Sequence, residues 1–234
     1  MTYWRWLALG LLPLAGLAHA QNRAAAPAKL DKAKLSYAIG YQIGSQFASG
    51  DPDVDIATVQ KAILDAYSKR APAVPMLDMH RQLQALDEQM HSQAVTEFKH
   101  IAATNARKSA DFLERNAKQA GVTQLPSGIQ YMVLKKGDGN ISPSVNSRVT
   151  VNYRGALIDG TEFDSTWARG APVSFVVDQV LRGWQYVLPR MHVGDRWKVV
   201  IPPSLAYGEN GALPRIGPNE ALVFEIELLE INQP

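Results

Sequence analysis

The sequence predicts an α+β protein: an all-α amino-terminal module, a long connecting helix, and an antiparallel β-sheet wrapped around one short helix. Three observations carry this. Leu35, Ile39, Ile43 and Phe47 recur at every fourth position, which places them on one helical face. Residues 76–120 contain neither Gly nor Pro. From Leu125 onward, apolar and polar residues alternate in short runs, the pattern of strands with one buried face. The stretch from Pro126 holds 11 of the 17 Gly and 9 of the 14 Pro.

Composition narrows the chemistry. The 234 residues are 46% hydrophobic and 20% charged, with a formal net charge of +2. That fits one or two globular domains and excludes wholesale disorder and collagen. There is no Cys, which removes disulfides, thiolate catalysis, iron–sulfur clusters and lipid attachment through a cysteine. So small a charge does not argue for nucleic acid. The Lys and Arg residues are scattered rather than aligned with aromatics, which points the same way.

The first twenty residues read as a signal peptide. Arg5 is their only charge, Leu7 to Ala18 is an apolar run, and Ala18-His19-Ala20 is a small-x-small cleavage pattern. The run is too short to span a bilayer comfortably. The alternative is a buried amino-terminal helix, but Pro13 and Gly16 interrupt it and the next segment turns polar. Cleavage before Gln21 removes Arg5, takes the net charge from +2 to +1, and implies export to the periplasm, with no transmembrane segment remaining.

Residues 21–28 are Ala/Pro-rich. A helix then runs from Leu30 to a stop at Gly50-Asp51-Pro52, and a second from Asp55 to Arg70, with Ile56, Val59, Ile63 and Ala66/Tyr67 as its stripe. Two short helices cannot bury such faces alone. Self-association over residues 21–75 is the preferred reading. Residues 76–121 follow as a spacer. Between Met76 and Ala120 there are 12 charged residues and a sparse stripe of Leu83, Leu86, Met90, Phe98 and Ile101. A continuous helix there reaches about 67 Å, and its polar middle suggests a solvent-exposed element with apolar ends. Two helices broken near Asn105, with Ser109 as the second N-cap, are the open alternative. Gly121 stands where a carboxyl-terminal cap belongs.

The sheet domain covers residues 125–234. Val149, Val151 and Tyr153 alternate with Arg148, Thr150 and Asn152. Trp197, Val199 and Ile201 alternate with Arg196 and Lys198, and Leu222, Phe224, Ile226 and Leu228 continue the pattern. Asp159-Gly160 and Gly194-Asp195 read as hairpin turns. Val180 to Met191 fits a short helix.

Familiar catalytic motifs are few. There is no phosphate-binding Walker loop, no Gly-x-Ser-x-Gly turn and no His-Glu-x-x-His. His80, His91, His100 and His192 are not spaced to ligate a metal. Gly208-Glu209-Asn210-Gly211 reads as a loop. What remains is a set of aromatics: Tyr153, Phe163, Phe175, Trp184, Tyr207 and Phe224. Any one of them fits an ordinary core; their order in sequence is the signal.

That order is carried by Val151-Asn152-Tyr153-Arg154-Gly155, Asp159-Gly160-Thr161-Glu162-Phe163-Asp164-Ser165, Val180-Leu181-Arg182-Gly183-Trp184, Ile201-Pro202-Pro203-Ser204-Leu205-Ala206-Tyr207-Gly208, and Leu222-Val223-Phe224-Glu225-Ile226-Glu227-Leu228-Leu229. The series resembles the FKBP-type peptidyl-prolyl cis-trans isomerases. Lys34-Leu35-Ser36-Tyr37-Ala38-Ile39-Gly40, Phe112-Leu113-Glu114-Arg115-Asn116-Ala117 and Pro126-Ser127-Gly128-Ile129-Gln130-Tyr131 resemble the dimerisation module of macrophage infectivity potentiator proteins and their periplasmic relatives.

The resemblance implies an apolar pocket between sheet and short helix, with Trp184 as its floor. It implies catalytic roles for Asp164, Tyr207, Tyr153 and Phe163, and substrate contacts from Val180, Leu181, Trp184, Ile216, Phe224 and Val173. It implies no cofactor and no metal. The implied partners are proline-containing exported or unfolded polypeptides, a second copy of the chain, and macrolides of the rapamycin type. Leu181 N–H and the Tyr207 hydroxyl are the expected donors to substrate carbonyls, and Arg169 is expected to support Asp164. Three positions depart from the pattern. Val173 replaces a frequent aromatic, Ala212 a frequent His, and Arg215 a common aliphatic, which bears on substrate preference and macrolide affinity. The alternative function is a dimeric holdase, or a surface-associated factor, that uses the pocket mainly for binding.

Overall fold

The computed structural model describes residues 29–48 and 52–232. The expected signal peptide at residues 1–20, the segment 21–28 and Gly50-Asp51 of the first helix stop lie outside the described residues. The described chain divides into two compact units, one ending at Met79 and the other beginning at His80.

In the first unit, α1 spans Lys32–Ser45 and α2 spans Ile56–Tyr67. Each starts on an aspartate. The Asp31 carboxylate accepts from Lys34 N–H, and Asp55 accepts from the N–H groups of Ala57 and Thr58. These bonds satisfy donors that a helix start leaves unpaired. The Thr58 hydroxyl, with the same backbone donors, holds the Asp55 carboxyl below its ordinary value. α2 ends at Tyr67 rather than Arg70, because Lys69 turns left-handed at φ 56°. The apolar stripes stay open: Ile39 and Ile63 are each 51% exposed. Tyr41, Ile43, Phe47, Ile56 and Val59 line a groove of about 410 Å³ between the two helices.

α3 spans Met76–Ala117, a continuous helix of 42 residues. No Gly or Pro interrupts its hydrogen-bond ladder. The alternative break near Asn105 does not occur. Ser109 lies inside the helix, 2% exposed, with its hydroxyl bonded to residues after position 218 rather than capping anything. Gly121 turns the chain beyond the helix at φ 81°. From His80 to His100 every side chain but Leu86 is exposed. The carboxyl end departs from expectation, because its fully buried residues are polar, Ser109 and Asn116. Asn116 Nδ2 donates to Gln130 Oε1 at 2.8 Å, and Gln130 Nε2 donates to Leu113 O at 2.8 Å.

The rest of the second unit is a seven-stranded antiparallel sheet. Its strands are β1 (Thr123–Gln124), β2 (Gln130–Lys135), β3 (Arg148–Leu157), β4 (Glu162–Ser165), β5 (Val173–Val176), β6 (Arg196–Ile201) and β7 (Leu222–Asn232). They lie in the order β1-β2-β6-β7-β3-β4, with β5 also on β3. The expected alternation is cleanest along β7, where Leu222, Ile226 and Leu228 are fully buried, and it places Val149 and Val151 of β3 in the core; in β6 it lapses at the end, where Val199, Val200 and Ile201 are all buried. The helix α5 (Arg182–Val187) lays Trp184 and Val187 against this face, followed by a helical turn bearing Leu188. Gly183 permits that contact, because a Cβ there would stand 2.5 Å from Ile201 Cγ2.

Two turns differ in role. Asp159-Gly160 closes the β3–β4 hairpin, as expected. Gly194-Asp195 joins no pair of strands; it leads from the helical turn into β6. The Asp195 carboxylate, 3% exposed, accepts from Gly137 N–H at 2.7 Å and His192 N–H at 2.9 Å. The polar residue that looked like a turn former is an internal tie between two loops.

Candidate active site

One edge of β3 is shared by two partners. β5 pairs with Arg148–Val151 and β4 with Arg154–Ala156. Neither reaches Asn152 or Tyr153. The gap is filled by Thr166, fully buried at the start of α4 (Thr166–Arg169), whose Oγ1 accepts from Tyr153 N–H at 2.8 Å. A buried backbone donor left unpaired would be costly, so this side chain stands in for a missing strand. β4 and β5 thus part at Tyr153, with Thr166 set between them.

The aromatic residues converge here around Trp184, which is 5% exposed. Tyr153 and Phe224 stand nearly perpendicular to it at centroid distances of 5.1 and 5.3 Å, and Phe175 is tilted against it at 5.6 Å. Phe163 meets Phe224 edge-on at 5.8 Å. Such edge-to-face pairs suit the ring quadrupole. Trp184 Nε1 is buried with no hydrogen-bond partner among the described residues. Ile216 belongs to the same core, and Val173, Val180 and Leu181 are half-buried against it.

Polar groups sit on the rim. The Tyr153 hydroxyl donates to Asp164 Oδ2, and Arg169 pairs with Asp164 Oδ1. Arg169 Nη2 also lies 3.4 Å from the Tyr153 hydroxyl, with its guanidinium 5.7 Å from the ring centroid. The Asp164 carboxylate thus has both oxygens engaged, one by a phenol and one by a cation. Leu181 caps α5 and accepts at its carbonyl from Trp184 N–H at 2.8 Å, while no described residue accepts from its N–H. Tyr207 makes no ring contact within the cluster. It is 43% exposed, and no described residue bonds its hydroxyl. Beside Phe163 and Asp164 a cleft of about 690 Å³ extends to Ala168, Pro214 and Arg215. Arg215 closes one side by donating to Phe163 O at 3.1 Å.

Some contributors were not visible from sequence. At Gly155 a Cβ would fall 2.6 Å from the Phe163 ring and 2.9 Å from Phe224. A Gly inside a strand pattern is the signal that marks such close approach. The alternating pattern does not show that Phe175 lies against Trp184. Thr166 carried no signal at all, since its task depends on a gap in pairing.

Known proteins resemble this chain over most of its length. Residues 139–229 match the model of the FKBP-type peptidyl-prolyl cis-trans isomerase domain. Residues 32–133 match the domain amino-terminal to FKBP-type peptidyl-prolyl isomerase. The peptidyl-prolyl cis-trans isomerase Mip of Coxiella burnetii is 41% identical over 228 residues, 97% of this chain and 96% of that protein. The FKBP-type 22 kDa isomerase of Escherichia coli is 43% identical over 86% of this chain and 95% of its own length. Among solved structures, that of FkpA from Escherichia coli superposes with a TM-score of 0.70 at 34% identity, covering 88% of this chain and 98% of that one. Likeness over nearly the full length of several such relatives, together with two adjacent family domains, shows that the chain belongs to the FKBP-type peptidyl-prolyl cis-trans isomerase family.

Proposed function

We propose that the chain speeds rotation about X–Pro bonds in exported polypeptides, with the Trp184 pocket as its site, and so assists folding in the periplasm. The observation that carries this is the convergence of Tyr153, Phe175 and Phe224 on a nearly buried Trp184, with one carboxylate at the rim. X–Pro rotation faces a barrier of about 18–20 kcal/mol and takes tens to hundreds of seconds unaided. No bond forms or breaks, so the reaction needs no nucleophile. The planar amide is more dipolar than the twisted one, so water favours the ground state. An apolar floor removes that preference, and the pocket must hold the twisted form better than the planar one.

The rim supplies the rest. Leu181 N–H and the Tyr207 hydroxyl, both without partners among the described residues, are available to substrate carbonyls. Asp164 orients Tyr153 and places negative charge beside the turning carbonyl carbon, while Arg169 holds the carboxylate in place. Asp164→Ala and Tyr207→Phe are each expected to lower kcat/KM on a prolyl peptide by about tenfold or more, as lost polar contacts to a transition state do. Wild-type rates in both variants, with packing intact, refute these roles.

Residues 21–75 act as a homodimerisation module, 76–121 as a spacer and 125–234 as the isomerase domain. The exposed stripes of α1 and α2 support the dimer, since a second copy buries them. Two pockets on one dimer raise apparent affinity for a client chain, which also accommodates the holdase reading. Light scattering is expected to give twice the chain mass, and a monomer removes the dimer. No helix among the described residues is long and apolar enough to cross a membrane. Macrolides of the rapamycin type would occupy the same pocket.

A further inference from the structure

The loop that carries Tyr207 and Ile216 returns to the sheet at Leu222, and its closing residues are held by α3. Asn105 Nδ2 donates to Pro218 O at 3.0 Å. Ser109 Oγ donates to Asn219 O at 2.9 Å and accepts from Ala221 N–H at 2.8 Å. Asn219 Nδ2 donates to Ala102 O at 3.3 Å. Asn219 then passes the constraint on, because its own N–H donates to the carbonyl of Gly208, next to Tyr207, at 2.8 Å.

The fit is specific. Asn219 sits in the left-handed region at φ 57°, a sparse conformation for a residue with a side chain, and it is held there through N–H, carbonyl and amide at once. Gly217 lies so near the helix that a Cβ would stand 2.8 Å from Asn105 Nδ2. Ser109 is 2% exposed. A buried hydroxyl is unfavourable unless bonded, and this one uses both a donor and an acceptor on the two sides of Glu220. An apolar residue would cover the same area without fixing these backbone groups.

We propose that Asn105 and Ser109 are positioning residues of the isomerase site. Through Pro218, Asn219 and Ala221 they set the loop that bears Tyr207 and the start of the strand that bears Phe224. The carboxyl-terminal turns of α3 are therefore part of the catalytic unit, not only a spacer. This rests on reading Tyr207 and Trp184 as site residues.

The test uses the full chain with Ser109→Val, Ser109→Thr, Asn105→Ala and, as a check on the site itself, Trp184→Leu. Ser109→Val is expected to lower kcat about tenfold with little change in KM, and to speed amide exchange at Asn219 and Ala221 about tenfold, the scale of an unsatisfied buried partner. Exchange at Val151, in the sheet core, stays slow. Ser109→Thr restores both readouts, and Asn105→Ala gives a smaller loss in the same direction. Should Ser109→Val fail to fold, Asn105→Ala carries the test, and normal kcat with faster Asn219 exchange overturns the proposal. A kcat loss that Ser109→Thr does not rescue also overturns it. Normal activity in Trp184→Leu refutes the underlying site instead; an inactive Trp184→Leu beside a fully active Ser109→Val refutes the positioning role alone.

Discussion

Replacement of Trp184 by Ala is expected to abolish prolyl isomerisation and to lower the unfolding free energy by about 3–5 kcal/mol, the range for removing a large buried aromatic. Both losses come from one place. Trp184 is 5% exposed and touches three other rings, so its removal opens a cavity in the core and takes the floor from the proposed site. Trp184→Phe separates the two. It keeps an aromatic floor and removes an indole N–H that has no partner among the described residues, so most activity and stability should remain. Urea unfolding and turnover of a prolyl peptide, read on the folded fraction, check both variants. Undiminished turnover in folded Trp184→Ala places the site elsewhere.

Gly155→Ala is expected to act through a single methyl group. The new Cβ would fall 2.6 Å from the Phe163 ring and 2.9 Å from Phe224. Gly155 is paired on both sides, with Asp164 of β4 and Phe224 of β7, so the backbone has little room to yield and the rings must move. Overpacking of this kind costs about 1–3 kcal/mol. The larger effect falls on catalysis, because a misplacement near 1 Å can cost about 100-fold in rate. Measured kcat/KM should fall far more than the modest drop in melting temperature suggests. If kcat/KM is unchanged, Phe163 and Phe224 do not shape the reacting geometry.

The sheet and the aromatic set were largely legible because burial imposes a period on sequence. β7 and the first half of β3 have one face in the core, and Val149, Val151 and Ile226 appear at the alternate positions this requires; the end of β6, buried at Val199, Val200 and Ile201 alike, shows the period only in its first half. β5 and β4 are four residues each, too short for a period to declare itself, and β2 buries Gln130 for its amide contacts rather than for hydrophobicity. The helix of residues 76–117 was legible from the lack of breakers. Its docking end was not. Ser109 looked like a local cap because caps are read from near neighbours, whereas its partners Asn219 and Ala221 lie 110 and 112 residues away. Gly194-Asp195 misled for a related reason: the dipeptide predicts a turn, but only the fold shows that the Asp195 carboxylate ties Gly137 to His192. The pairing of Arg169 with Asp164 was implied by the family motif and is present.

Catalysed rotation of X–Pro bonds at the Trp184 pocket is the central claim, and proline-limited refolding of a test protein measures it most directly. Catalytic amounts of the full chain are predicted to shorten the slow phase, and an excess of rapamycin to return it toward the uncatalysed rate. A slow phase left unchanged by micromolar chain would contradict the claim.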